Sequence, residues 1–224
     1  MKVTTDACLF GAWAAEEMKN EKFKIKNALD IGAGTGLLSL MLAQSNTSIA
    51  IDTIEIDHEA YDQAKENVSS SPFADRVSVI HADVKKFPFV RKYDVVISNP
   101  PFYENEIASV DIKRRVAQHQ SGLTLNELVP IIKANLAQAG NFFLLLPFKR
   151  NEEIKKIFLK QNLGISKIVF VRQSARHAYF RMMLAGTLDK SADETSIEEI
   201  SIWDDHQQYT DRFKELLESY YLYL

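Results

Sequence analysis

The sequence predicts an α/β protein built on a seven-stranded, mostly parallel sheet, with helices on both faces and an antiparallel hairpin at its end. Two features carry this reading. Short apolar runs alternate with amphipathic stretches along the chain, the pattern of a parallel sheet covered on both sides. The last two runs, Lys167 to Gln173 and Tyr179 to Leu188, are joined only by residues 174–178. A parallel crossover needs about a dozen residues or more, so this pair must be antiparallel. No repeat, low-complexity tract or flexible linker divides the 224 residues, and residues 1–224 are expected to form one domain.

The elements follow in order. Leu9 to Met18 reads as an opening helix. Lys26 to Ile31 is a strand that ends in Gly32-Ala33-Gly34-Thr35-Gly36, with a helix over Leu37 to Gln44 behind it. Ser48 to Ile56 is the second strand. His58 to Val68 is a helix with Ala60, Ala64 and Val68 at four-residue spacing on one face. Val77 to His81 and Tyr93 to Ser98 are the third and fourth strands. Thr124-x-x-Glu127 is a capping box, and the helix it starts is expected to stop at Gly140. Asn141 to Pro147, almost wholly apolar, is a central strand. Asn151 is a candidate N-cap for a helix to Gln161. Thr210 caps a final helix to Tyr221, with Phe213, Leu216, Leu217 and Tyr220 on its apolar face.

Bulk properties narrow the compartment and the partners. No apolar run approaches the roughly 20 residues that span a bilayer, and MKVTTDACLF lacks the layout of a secretory signal. The single cysteine, Cys8, lies beside Leu9 and Phe10 and reads as a small core residue. A cytoplasmic protein is expected, with no membrane contact and no obligate protein partner. No residues have metal-ligand spacing, so no metal is expected. The formal net charge is −3, yet Lys149, Arg150, Lys155, Lys156, Lys160, Lys167, Arg172, Arg176 and Arg181 crowd one stretch of the chain. Most of the balancing acid lies between Asp189 and Glu218. A local basic face of this kind can hold a phosphate backbone; a solvated lysine-rich surface is the other reading.

Ligands of open α/β sheets sit outside the carboxyl ends of the strands, and the first strand ends here are chemically pointed. Gly32 and Gly34 allow the backbone a sharp turn and close approach to a ligand. A dinucleotide loop would need a further glycine at position 37, where this chain has Leu37; the spacing is instead G-x-G-x-G through Gly36. Asp30, two residues ahead of the loop, would repel a pyrophosphate but suit the ammonium of an amino acid. S-adenosylmethionine has that ammonium and no phosphate. Glu55 at the second strand end can take the ribose hydroxyls, with Asp57 as a competitor for the role. Ile56 would lie against the adenine, and Asp83 at the third strand end would accept from its amino group.

The fourth strand runs into Asn99-Pro100-Pro101-Phe102. Two prolines end a strand abruptly because neither donates to a ladder, and they fix the directions of the Asn99 amide and the Pro100 carbonyl. Those two acceptors can bind both N–H groups of a planar exocyclic amine and favour the geometry in which its lone pair meets a sulfonium methyl. The catalysis is positioning and electrostatics, with no strong base. Phe102 offers a face for a flipped base.

With these residues together, the chain resembles the amino-methyltransferase branch of the Rossmann-like class I methyltransferases. Its start, Met1-Lys-Val-Thr-Thr-Asp-Ala-Cys-Leu-Phe-Gly-Ala-Trp-Ala14, and its end, Tyr209-Thr-Asp-Arg-Phe213 with Tyr220-Tyr-Leu222, are similar to those of the bacterial tRNA(Val) (adenine(37)-N6)-methyltransferase family. The resemblance implies methylation of adenine N6 in a tRNA, at the adenine 3′ of the anticodon, with S-adenosylmethionine as cofactor. Within the branch, rRNA guanine N2 and protein glutamine N5 are the other acceptors, and a non-catalytic cofactor-binding RNA factor is the alternative from another class. The resemblance also implies that Thr5 and Asp6 hold the methionine part of the cofactor. It implies that Arg114, Arg115, His119, Arg172, Arg176, His177 and Arg181 meet RNA. Members usually carry a short aromatic and basic segment ahead of the equivalent of Met1, which this sequence lacks.

Overall fold

The computed structural model describes residues 3–19, 25–100, 123–189 and 195–224. Labelled in order among these residues, the elements are α1 (Thr5–Lys19), β1 (Asn27–Ile31), α2 (Leu37–Ser45), β2 (Ala50–Glu55), α3 (His58–Ser69), β3 (Val77–His81) and β4 (Tyr93–Ser98). Then come α4 (Leu125–Asn135), β5 (Leu136–Pro147), α5 (Asn151–Gln161), β6 (Gly164–Ser174), β7 (Tyr179–Thr187), β8 (Ser196–Trp203) and α6 (Asp211–Leu217). The strands form one sheet in the order β3-β2-β1-β4-β5-β7-β6-β8.

Strand alternation sends side chains to opposite faces, and each face has its own core. Phe143 and Leu145 of β5 point to one side, where Phe10, Trp13, Leu42 and Phe213 from α1, α2 and α6 cover them. Phe142, Leu144 and Leu146 point to the other, against Leu128 and Ile132 of α4 and Ile154 and Phe158 of α5. Full burial of both faces of β5 explains its unbroken apolar run. Cys8 is buried in the first core, and burial pushes its thiol pKa up.

Three expectations need correction. The described residues hold eight strands rather than seven, because Ser196–Trp203 forms β8, parallel to β6. Its sequence, SIEEISIW, buries only Ile200 and Ile202 while Ile197 stays exposed. An edge strand guarded by acids reads locally as polar chain. The hairpin is antiparallel as expected, but it is not the sheet edge: β7 is inserted between β5 and β6, antiparallel to both. The helix with the capping box ends at Asn135 rather than Gly140, and the chain turns straight into β5. Gly140 serves elsewhere, for a side chain there would meet the Asp94 carbonyl at 2.9 Å beside the irregularity between β4 and β5.

The caps show similar shifts. Asn151 is the first residue of α5, and Arg150, at the cap position, makes no side-chain capping bond but pairs with Glu153. The Thr124–Glu127 box forms in full, and Thr210 caps α6, which ends at Leu217 before the expected Tyr221.

Candidate active site

Neighbouring β2 and β4 flank β1, so the strand order reverses between β1 and β4. Such a reversal opens a crevice at the carboxyl end of the sheet. Ile31 and Ser98 are register partners across it, so the loop after β1 and the residues after β4 emerge side by side.

The loop after β1 turns through Gly32, Gly34 and Gly36 at φ of +82°, +56° and +78°, a region that side chains rarely adopt. Gly32 and Ala33 both donate to the Ile54 carbonyl, at 2.9 and 3.1 Å. Asn67 of α3 donates to the Thr35 carbonyl at 2.9 Å. A Cβ added at Gly32 would meet nothing within 4 Å, so space lies open over the loop.

Glu55 faces this loop. Its Oε2 accepts from the Gly34 amide at 2.9 Å, and its Oε1 accepts from the amides of Ile56 and Asp57, each at 2.9 Å. Three of roughly four acceptor positions on the carboxylate are thereby taken, leaving one on Oε2. Asp57 has a different post: its side chain accepts from the Ala60 amide and caps α3. Ile56, between the two acids, is 51% exposed. Its carbonyl lies 3.1 Å from the His81 ring nitrogen, and Ala82 donates to the Glu55 carbonyl at 3.0 Å. The ends of β2 and β3 are thus tied together. Asp83 follows, half-buried, with one oxygen on the Lys85 amide at 2.9 Å and the other 3.9 Å from the Lys86 ammonium.

Asp30 does not sit at the loop mouth, where the sequence put it. It is 0% exposed beneath the loop, and its Oδ2 accepts from Ser39 of α2 at 2.7 Å. Its Oδ1 is buried without a hydrogen bond. Burial raises its pKa to about 7, opposed by the hydroxyls of Ser39 and nearby Thr53. The reason is alternation along β1: the penultimate strand residue points into one face of the sheet, and here α2 covers that side chain through Ser39.

On the other lip, Ser98 is fully buried and its Oγ donates to the Ile31 carbonyl at 2.7 Å. This bond ties the last residue of β4 to the last of β1. Asn99 comes next, partly exposed, its side chain making no hydrogen bond among the described residues; Pro100 behind it is buried. Pro101, Phe102, Arg114, Arg115 and His119 lie outside the described residues. Ser39 and Ser98 were passed over in the sequence; a lone serine closing an apolar strand was the available signal for Ser98.

The remaining expected residues gather further along the same rim. Thr5 and Asp6 open α1. Asp6 Oδ2 accepts from Arg181 Nε at 2.8 Å, so a residue expected on the cofactor and one expected on RNA are bonded to each other. Arg172 reaches Glu199 at 3.1 Å and Ser201 at 2.9 Å, and Arg176 reaches Asp205 at 3.1 Å. His177 Nδ1 lies 2.8 Å from Ser174 Oγ. Lys167 meets both Glu17 and Glu198. Part of the basic stretch of the sequence is therefore neutralised in space: Lys167, Arg172 and Arg176 by acids of β8 and its flank, Arg181 by Asp6, and Arg150 and Lys155 by Glu153 and Glu152. Lys149, Lys156 and Lys160 keep no partner among the described residues.

The acceptors at the crevice fit a ligand carrying hydroxyl and amino groups. Glu55 ends β2 and Asp83 follows β3, the exposed Ile56 lies between them, and open space covers Gly32. Carboxylates beside two neighbouring strand ends oppose a pyrophosphate.

Comparison with known proteins bears on the family and the fold. Residues 13–156 match the methyltransferase small domain family. A tRNA1(Val) (adenine(37)-N6)-methyltransferase of Dyadobacter fermentans is 38% identical over 99% of this chain and 91% of its own length. The protein of the same description from Christiangramia forsetii is 36% identical over 100% and 92%. Among solved structures, a predicted O-methyltransferase from Agrobacterium tumefaciens aligns with a TM-score of 0.70, 14% identity and 95% coverage of both chains. A putative class I S-adenosylmethionine-dependent methyltransferase from Listeria monocytogenes aligns with a TM-score of 0.66 and 16% identity, over 88% of this chain and 65% of that one. These two show the shared fold.

Proposed function

The chain belongs to the tRNA1(Val) (adenine(37)-N6)-methyltransferase family, and we propose from this that it methylates N6 of the adenine 3′ of the anticodon in a valine tRNA. The observation that carries the reading is the crevice between β1 and β4, where Asn99 stands beside the glycine loop and Ser98 bonds to Ile31. S-adenosylmethionine, when bound, supplies a methyl group on a sulfonium centre. Glu55 accepts a ribose hydroxyl on the free position of Oε2, and the Ile56 side chain covers one face of the adenine ring. Asp83 accepts from the adenine amino group. Gly32, Gly34 and Gly36 let the backbone approach closely, and Thr5 and Asp6 close the methionine end. Asp30 acts from beneath, by holding the loop to α2 through Ser39.

On the substrate side, the Asn99 side-chain oxygen and the Pro100 carbonyl accept the two N–H groups of the target amine. A conjugated amine is a weak nucleophile, and the two acceptors favour the pyramidal form in which its lone pair is available. The product nitrogen is acidic, so its proton leaves without a strong base. Phe102 is proposed to stack on the flipped base, with Pro101 beside it in the sequence. Arg114, Arg115 and His119 meet the RNA, and so do His177, Arg172, Arg176 and Arg181, the arginines by exchanging Glu199, Asp205 and Asp6 for phosphate.

The test is to incubate the protein with labelled S-adenosylmethionine and total tRNA from a strain lacking the modification, then digest to nucleosides. Label in N6-methyladenosine supports the reading. Label only in protein, or cofactor binding with no label in RNA, overturns it.

A further inference from the structure

Three aromatic rings pack together on the rim beyond the crevice, and the reaction as described leaves them unused. Phe148 follows Pro147, the last residue of β5; Phe170 lies on β6 and Tyr179 opens β7. Their centroids are 5.2 Å apart for Phe148–Phe170, 5.2 Å for Phe148–Tyr179 and 5.3 Å for Phe170–Tyr179. All three are partly exposed. Phe170 leans on the core beneath α4 and α5, but Phe148 and Tyr179 belong to neither core cluster. Their packing serves the group itself rather than the fold.

The setting is cationic at its edge. The Arg172 guanidinium lies over the Tyr179 ring, 5.3 Å from its centroid, and is held by Glu199 and Ser201. Glu199 also stands close to the Tyr179 hydroxyl and raises its pKa. Lys149, next to Phe148, is exposed and has no partner among the described residues. Glu199 is the acid facing the group, and Arg172 answers it.

We infer that Phe148, Phe170 and Tyr179 form a stacking platform for an unpaired nucleobase one or two nucleotides from the target adenine, with Lys149 on its phosphate. β7 is two strand spacings from β4, roughly 10 Å, and the register sets Tyr179 four residues beyond the level of Asn99, roughly 13 Å. The platform therefore stands roughly 16 Å from Asn99, the reach of a near neighbour of the target along the strand. Single-stranded RNA is held by stacking on aromatic rings with cations along the backbone, and that is the composition found here. A packed ring group beside an exposed lysine fits a base and its phosphate. The inference rests on the RNA reading of the active site.

The experiment places 2-aminopurine at the first or the second position on either side of the target adenine in an anticodon stem-loop and compares the wild-type chain with Tyr179→Leu, Phe148→Leu and Tyr179→Phe. Methyl transfer by the wild-type chain to unlabelled stem-loop is measured in parallel. On binding, the wild type quenches the fluorescence. Either leucine variant loses most of the quench and raises KM for RNA about 10-fold, with saturating kcat and cofactor affinity within about 3-fold of wild type. Tyr179→Phe keeps the quench, which a loss through misfolding would not do. If the wild type transfers methyl and the leucine variants keep both quench and KM, the platform is wrong and the active-site reading stands. If the wild type neither transfers methyl to the stem-loop nor quenches, both fall.

Discussion

The two halves of the sheet rim hold their charges in opposite ways. From β1 to β3 the carboxylates are held by backbone amides and near neighbours: Glu55 by Gly34, Ile56 and Asp57, and Asp83 by Lys85. From β5 to β8 the cations are held by acids from distant chain: Arg181 by Asp6, Arg172 by Glu199, Arg176 by Asp205. The first half is a fixed socket, because amide donors cannot turn away from the group they hold. The second is a set of ion pairs, and on the proposed reading phosphate would compete with carboxylate for the same guanidinium groups. A methyl donor needs one geometry, whereas a long polyanion needs contacts that form together as it docks.

Asn99 stands at the border of the halves, and its replacement gives the largest expected effect. Asn99→Ala removes one of the two acceptors for the amine and leaves the socket untouched. It should lower kcat by about 10²- to 10³-fold while cofactor affinity, read by calorimetry, stays within a few fold. A collapse of cofactor affinity would move Asn99 into the socket and erase the division.

Glu55→Ala attacks the socket itself. It strips the partner from three amides, and a hydrogen bond to a charged group is worth about 1.5–3 kcal/mol. Cofactor Kd should weaken by about 10- to 100-fold, with saturating kcat changed much less. Asp57→Ala, by contrast, removes only the α3 cap and should cost about 1 kcal/mol of stability, with cofactor affinity near wild type. Equal losses of affinity in both variants would show that the two acids share the ribose.

These differences also explain what could be read from the sequence. Strand ends have fixed positions in an α/β sheet, so the glycine loop, Glu55, Asp83 and Asn99 were legible from strands and turns alone. Asp30 was placed wrongly because its depth depends on which face α2 covers, which its neighbours in sequence do not reveal. The basic stretch misled for the same reason: Arg176 and Asp205, or Arg181 and Asp6, meet only after the chain has folded. β8 escaped because a strand exposed along its edge has half the apolar signal of a buried one.

Burial beneath the loop gives Asp30 a pH signature. Its pKa, raised to about 7 in the folded state, lies well above the unfolded value, so the folded protein keeps this proton over a range where the unfolded chain has lost it. The associated stability is complete below about pH 4 and is lost as pH rises towards 7, on the order of 4 kcal/mol at most. Asp30→Asn removes this slope, and chemical denaturation at pH 5 and 7.5 compares the two proteins. Should the wild-type stability not fall relative to Asp30→Asn over that interval, the carboxyl is ionised under the loop.

The smallest effect concerns Arg176 and Asp205, both well exposed, whose pairing is worth between about 0 and 1 kcal/mol in stability. Neither Arg176→Ala nor Asp205→Asn should move the melting temperature by more than a degree or two. Their effects on RNA should differ in sign. If Arg176 exchanges its acid for phosphate, Arg176→Ala weakens RNA binding by a few fold and lowers the salt slope by about 0.7. Asp205→Asn frees the same guanidinium and tightens binding by a similar factor. Titration of a fluorescent stem-loop at two salt concentrations measures both. A pair that serves only the fold leaves RNA affinity unchanged in both variants. In that case the exchangeable half of the rim narrows to Arg172, Arg181 and the free lysines.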